Sequence, residues 1–503
     1  MLKGFTRRFK PLEILTEEQV EAIHRATLDV LWETGIRFES DWALDFFDKN
    51  GCKVDRNQMR VRFPEGLVEE CLRKCPSSYR FRARDPKNDV RIGGNTLYFA
   101  QGPGMRIADP TSWDIKIPTL EEHRDAMIVA DALPNLHIGW AWEFYMELQS
   151  VPPVMVMLED LASGYRNSTK TEAIGYAHNN EIFAIQMAQA LGTDIHGISN
   201  PSPPLTYYDD GVQSVRRMVE AGFPVLFAEG QVFGGTSPAT LAGSVVTHNA
   251  ELIAGIVLAQ LIQPGAKVLA DDFVLPMNMA TGAPAFGQIG ISLHVVMFNQ
   301  IFRGYGLPIM NGCFFTNSKR LDFQNGCERT IMPLIAALSG ANWIGFHGGF
   351  SCELAYSPIQ CMLDDDVAGM IGRFLEGVTV SDETVALDLI EQVGPIPGHY
   401  LGTEHTRKWW QREQYVPKVF DRDTYPGWVV GGKKSCFELA KERMEEILAT
   451  HKVSPPLPPS QEEDIKRILN EARQYYRKKG LISDEEWEVY QEKVLKSPDY
   501  PFA

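Results

Sequence analysis

The usual catalytic signatures are missing from this chain, so its chemistry has to be sought among acids, amides and rings. The eleven histidines include no HxH pair, whereas a metal site in a barrel enzyme needs several nitrogen or oxygen donors converging on one cation. His178, His294 and His347 stand alone, and a lone histidine is more often a hydrogen-bonded core residue than a ligand. Cys313 and His347 are placed to converge from neighbouring strands, which keeps a metal-dependent hydrolase or lyase as an alternative. Cys71 and Cys75 lie one helical turn apart, but no second pair follows at zinc-site spacing. A GxSxG nucleophile elbow and a phosphate loop of the Walker type are also absent.

What remains is aromatic and acidic. Phe99, Trp140, Trp142, Phe144, Tyr145, Phe227, Phe273, Phe286, Phe314, Trp343, Phe346 and Phe350 fall at or near the ends of apolar runs. A quaternary ammonium has no N–H to donate, and ring faces are its natural receptor, at ~0.5–2 kcal/mol per good contact. Glu143, Glu229, Asp271 and Asp272 are acids placed to counter such a charge. Strands also pack rings against helices and tie acids into structural hydrogen bonds, so each residue has an ordinary structural role as well.

The elements that must position these residues follow from hydrophobic periodicity. Eight short apolar runs alternate with amphipathic helices from residue 97: Leu97–Gln101, Leu136–Glu143, Ala173–His178, Gly197–Asn200, Val225–Gln231, Val268–Asp272, Ile309–Cys313 and Trp343–His347. Eight such units predict an α/β chain folded as a (β/α)8 TIM barrel over 97–380, with polar strand ends at the face where barrels hold their sites. A doubly wound sheet is disfavoured, because no strand–GxGxxG–helix turn occurs. Residues 1–96 predict an N-terminal helix-and-strand cap, opened by a capping box at Thr16 and Gln19. Residues 381–503 predict a C-terminal helical extension, whose last helices are placed to clasp a neighbouring subunit or to lie solvated.

The 503 residues carry 65 acids against 49 bases, a net charge of −16, which disfavours nucleic acid and anionic membranes as partners. The eight cysteines form no CxxC pair and read as reduced thiols of a cytoplasmic protein. No apolar run follows the basic start as a secretory signal requires. The greasy stretch Ala239–Ile262 carries His248, Asn249 and Glu251 at its centre and predicts a buried helix, not a membrane span.

Several ordered stretches carry a resemblance: Leu15–His24, Ile117–Asp125 with Ala130–Asn135, His248–Gln260, Thr281–Gly287, Ala337–Asn342 and Gly402–Thr406. Together, over about residues 12–450, they resemble the trimethylamine methyltransferase (MttB) superfamily. The resemblance implies a (β/α)8 barrel that moves a methyl group from an amine to the Co(I) of a corrinoid carried on a separate protein. The trimethylamine branch uses pyrrolysine. Only standard residues occupy the region where it is expected here, about Thr316–Glu328, so the chain resembles the non-pyrrolysine branch, which demethylates glycine betaine and related quaternary amines.

Such a donor leaves as a neutral tertiary amine, so attack by Co(I) needs neither a general acid nor a bound metal, and no tightly bound metal is expected. No catalytic residue is assigned. Strand-end position nominates Phe99, Gln101, Trp142, Glu143, Phe227, Glu229, Gln231, Asp272, Asn311, Phe346, His347 and Phe350 for substrate binding. Of these, Gln101, Gln231, Asn311 and His347 are the donors for a betaine carboxylate. The expected partners are a quaternary amine, a cognate corrinoid protein and further copies of the chain. A betaine-binding protein without turnover is the non-enzymatic alternative.

Overall fold

The computed structural model describes residues 1–102, 104–110, 112–139, 147–312 and 314–501. Its centre is a curled sheet of seven parallel strands: β1 (Thr96–Gln101), β2 (Glu172–Ile174), β3 (Ile195–Ser199), β4 (Val225–Phe227), β5 (Val268–Asp272), β6 (Ile309–Asn311) and β7 (Trp343–His347). The order across it is β1-β7-β6-β5-β4-β3-β2. From β2 to β7 each strand lies beside its successor in sequence, and the last, β7, lies beside the first, β1; a doubly wound sheet reverses direction part-way and cannot give this succession.

The predicted run Leu136–Glu143 contributes Ile138, which bridges Ala100 on the edge of β1, past the point where Phe5–Thr6 pairs antiparallel with Thr96 and Leu97. Gly139 lies so close to the next strand that a Cβ there would sit 2.8 Å from the Thr171 carbonyl. Among the described residues no ladder joins these two stretches, and Trp140–Met146 lie outside them.

Eight helices follow the strand stretches in turn: α1 (Leu120–Ala132), α2 (Pro153–Asn167), α3 (Asn180–Leu191), α4 (Asp209–Glu220), α5 (Leu241–Ile262), α6 (Ile289–Gly304), α7 (Phe323–Ser339) and α8 (Pro358–Leu375). Period-two alternation sends Tyr98, Ala100, Ile198, Leu226, Leu269, Met310 and Trp343 into one interior column. The opposite residues pack under the helices. Helix α5 is long and apolar enough to cross a membrane by composition, yet most of it is buried in the fold, as its central polar residues require. The buried ammonium of Lys170 donates to the carbonyls of Ala130, Leu133 and Leu136 and so closes the C-terminal end of α1.

The N-terminal segment contributes two pieces to this frame. A hairpin of Ser78–Phe81 and Val90–Gly93 places Tyr79, Phe81, Val90 and Ile92 against the interior column and plugs the end where the strands begin. A second sheet pairs Ile36–Glu39 with Thr206–Tyr208 from the strand–helix region, in parallel. The capping box forms as the sequence predicts, with Thr16 and Gln19 bonded reciprocally.

At the other end of the chain, helices Cys436–Thr450, Pro459–Lys478 and Asp484–Tyr490 pack on the same chain. Arg473, buried, pairs with Glu159 of α2 at 2.5 Å. These last helices are therefore fastened to their own chain.

Candidate site at the strand ends

Where β3 to β7 end, the interior column gives way to a cavity of about 160 Å³ lined by Asn200, Leu226, Ala228, Gly230, Asp271, Phe273, Met310, Gly312, Gly345 and Glu353. By water's ~30 Å³ share of liquid volume it holds about five water-sized groups, the heavy-atom count of a trimethylammonium head together with the methylene that carries it. Two carboxyls face it, and no basic residue stands among its lining side chains.

Asp271 is 2% exposed, and its Oδ1 has no hydrogen-bond partner. Burial pushes its carboxyl well above the usual carboxylate range, helped by Asp272 and Glu353 and opposed by the Gly312 N–H. Gly312 lets the two strand ends approach closely, since a Cβ there would sit 2.8 Å from Asp271 Oδ2. Phe273 forms one wall, backed by Phe286 and Phe315 at centroid distances of 6.4 and 6.5 Å.

Glu353 arrives on a strained turn. Ser351, Cys352 and Glu353 all have positive φ, at 52°, 58° and 63°, in a region that costs side-chain-bearing residues roughly 1–2 kcal/mol each. The turn is stitched to the loop after β6, because the Ser351 and Cys352 amides donate to the carbonyls of Ser318 and Thr316. Beneath both loops Arg329 of α7, 1% exposed, binds Asp364 of α8 and the carbonyls of Phe314, Phe346 and Gly349. Strain held by so much surrounding structure marks functional loops.

Behind the strand ends runs a buried polar chain. His248 of α5 bonds Glu229 at 2.5 Å and lies 3.6 Å from Asp272. Asp272 accepts from His294 of α6 at 3.0 Å, and His294 meets Ser244, which bonds Gln231. Burial holds His248 down to about 3, so it is a neutral link. Among the described residues no group of three His, Cys, Asp or Glu side chains is placed to hold a metal ion; Cys313 lies outside them.

The family model described as trimethylamine methyltransferase (MTTB) matches residues 1–475. The chain belongs to that family. It is 33% identical over 458 residues to a glycine betaine methyltransferase of Desulfitobacterium hafniense, covering 89% of this chain and 94% of the relative. It is 29% identical over 477 residues to the trimethylamine methyltransferase MttB of the same species, covering 92% and 94%. A crystal structure of MtmB in complex with hydroxylamine superposes with a TM-score of 0.50 at 10% identity, covering 87% of this chain and 89% of that one, a likeness of fold alone.

Within this family member, the residues nominated from sequence fall mostly on the outward face of the strands. Phe99 packs against Phe346 and His347, at centroid distances of 5.5 and 6.1 Å. Phe346 also lies under the Arg329 guanidinium, 5.0 Å away. Gln101 donates to the Tyr356 hydroxyl at 2.5 Å. Phe227 presses on Gly255 of α5. Glu229, Gln231 and Asp272 form the buried chain just described, and Asn311 is bonded reciprocally to Asn299 of α6. Phe350 packs with Trp113 to one side.

None of these ten lines the cavity; of the donors expected for a carboxylate, Gln101, Gln231 and Asn311 are committed to Tyr356, Ser244 and Asn299, and His347 is buried beside Phe99 and Phe346. Trp142 and Glu143 lie outside the described residues. The residues that do face the cavity are the adjacent ones in each strand: Asp271 beside Asp272, Ala228 and Gly230 beside Glu229, Met310 and Gly312 beside Asn311. Asn200, Asp271 and Phe273 stood among the strand-end residues. Glu353 follows a two-residue strand, Gly349–Phe350, and carried no periodic signal.

Proposed function

We propose that this family member transfers a methyl group from a quaternary amine to the Co(I) of a corrinoid presented by a partner protein. Co(I) attacks the N-methyl carbon, the Co–C bond forms as the C–N bond breaks, and the pair from that bond stays on nitrogen. A neutral tertiary amine leaves, and cobalt becomes methyl-Co(III). The observation that carries the reading is a head-group-sized cavity with Asp271, Glu353 and Phe273 on its wall, in a chain 33% identical to a glycine betaine methyltransferase.

The ring and the two carboxyls bind the onium charge. Because that charge fades in the transition state, they serve binding more than the chemical step, while fixed orientation and exclusion of water supply the rate. The strand succession, the Ala100–Ile138 bridge and the close approach of Gly139 to Thr171 support a closed (β/α)8 barrel at 97–380. Flanking units at 1–96 and 381–503 complete the proposed domain plan. The cysteine pattern supports a cytoplasmic protein.

The deciding experiment is anaerobic. Chemically reduced Co(I) cobalamin is mixed with the protein and each of glycine betaine, proline betaine, carnitine, γ-butyrobetaine, choline, tetramethylammonium and trimethylamine, and methylcobalamin is followed by absorbance. Transfer from a quaternary amine with trimethylamine silent is expected. Absence of transfer from all of them, repeated with the cognate corrinoid protein, overturns the proposal. Choline and tetramethylammonium belong in the panel because the described cavity wall offers acids and no cation to a carboxylate.

A further inference from the structure

The cavity at the ends of β3 to β7 is charged in one sense only. Asp271 and Glu353 face it, Asn200 is the single uncharged polar side chain on its wall, and the other lining residues are apolar or glycine. The bases of the neighbouring loops are committed elsewhere. Arg106 pairs with Glu147 at 3.0 Å, Arg320 lies 3.6 Å from Asp322, and Lys319 donates to the Asn317 carbonyl. Arg329, beneath the loops, spends its guanidinium N–H groups on Asp364 and three backbone carbonyls. Burial, reinforced by the Arg329 charge, keeps the His347 imidazole neutral. The positions outside the described residues, 103, 111, 140–146, 313 and 502–503, contain Glu143 but no Lys, Arg or His.

We propose that this site selects quaternary amines that carry no carboxylate near nitrogen, and that Asp271 and Glu353 set the preference. The inference rests on the quaternary-amine reading above and narrows it to onium ions with a neutral tail: choline-like alcohols, amides, esters and simple tetraalkylammonium ions. A permanent cation gains from both carboxyls and from the Phe273 ring at once. A carboxylate on the next carbon travels in with the head, meets the same two acids in a setting with little water, and finds no guanidinium or ammonium to pair with. Asp271 Oδ1 is buried and has no hydrogen-bond partner; an arriving cation compensates it and an arriving anion does not. The one side-chain amide on the wall belongs to Asn200, whose backbone carbonyl accepts from the Tyr176 hydroxyl. A single neutral donor of this kind suits a tail hydroxyl or carbonyl oxygen and leaves a carboxylate charge unbalanced.

The test is equilibrium binding by titration calorimetry on the full chain, with no cobalt present. Glycine betaine is compared with its amide, (carbamoylmethyl)trimethylammonium, a pair of nearly equal shape that differs in charge; choline and tetramethylammonium complete the set. The amide is expected to bind at least thirtyfold tighter than glycine betaine. Glu353→Gln and, separately, Asp271→Asn are each expected to shrink that ratio at least fivefold, whereas a merely structural role weakens both ligands together and leaves the ratio unmoved. Glycine betaine bound as tightly as the amide overturns the proposal, and so does a ratio that neither variant moves. A carboxylate held by the proton of Asp271 also overturns it, and shows as a glycine betaine affinity that rises as pH falls and is lost in Asp271→Asn. Methyl transfer to Co(I) absent from every donor, with the binding preference intact, defeats the transfer reading and leaves the ligand class standing. Transfer from glycine betaine, with the amide and choline inert, defeats the ligand class and leaves transfer standing.

Discussion

Asp271 is a buried acid with an unpartnered oxygen, an arrangement that costs stability and suits a site that takes a cation. Its raised folded-state pKa means that the folded protein holds a proton which the unfolded chain releases above about pH 3.9. Stability at this group therefore falls as pH rises from the unfolded value toward the folded one. Asp271→Asn is expected to melt with the wild type near pH 3.5 and above it at pH 7–8, the gap widening with pH in a calorimetric series. A cation favours the ionised carboxylate, so kcat/KM for the amine is expected to rise with pH in the wild type and to lose that slope in Asp271→Asn, with transfer at least tenfold lower. A variant that is both less stable and fully active would remove Asp271 from the site. Glu353→Gln tests the other carboxyl in the same assay and is expected to raise KM with a smaller change in kcat.

At the scale of elements, most of the frame was legible and the facing of the strands was not. The runs Val268–Asp272 and Trp343–His347 match β5 and β7 residue for residue, because apolar runs between helical patterns identify strands well. Strands covered on both faces are apolar on both, however, and offer no alternation from which to read the inward parity. The polar strand-end residues that the sequence nominates therefore stand one position away from those that line the cavity. At β7 the register with β1 shifts between Gly345 and His347, so even a correct parity fails there. Glu353 was invisible for another reason, since left-handed turns of non-glycine residues have no sequence signature. The bracing is testable: Arg329→Met leaves Asp364 buried without its cation, and one-sided removal of such a pair costs about 3–5 kcal/mol. Denaturant unfolding is expected to show that loss, and Lys170→Met a smaller one of about 1–3 kcal/mol from three freed carbonyls.

Across the whole molecule, the two ends of the chain are used differently. The N-terminal hairpin plugs the floor of the strand column, and the final helices are fastened by Arg473, Glu159 and Tyr490. Arg473→Met is expected to raise hydrogen exchange in Pro459–Lys478 and Asp484–Tyr490 without changing strand protection. The paired loops at the mouth bear on how donor preference passes between relatives. Because Ser351 and Cys352 bond to Ser318 and Thr316, a chimera that inherits 349–356 from one parent and 314–318 from another sets a left-handed turn against a mismatched cradle. Recombination between family members should then yield active progeny only when both segments descend from one parent, which makes the pair a single heritable cassette.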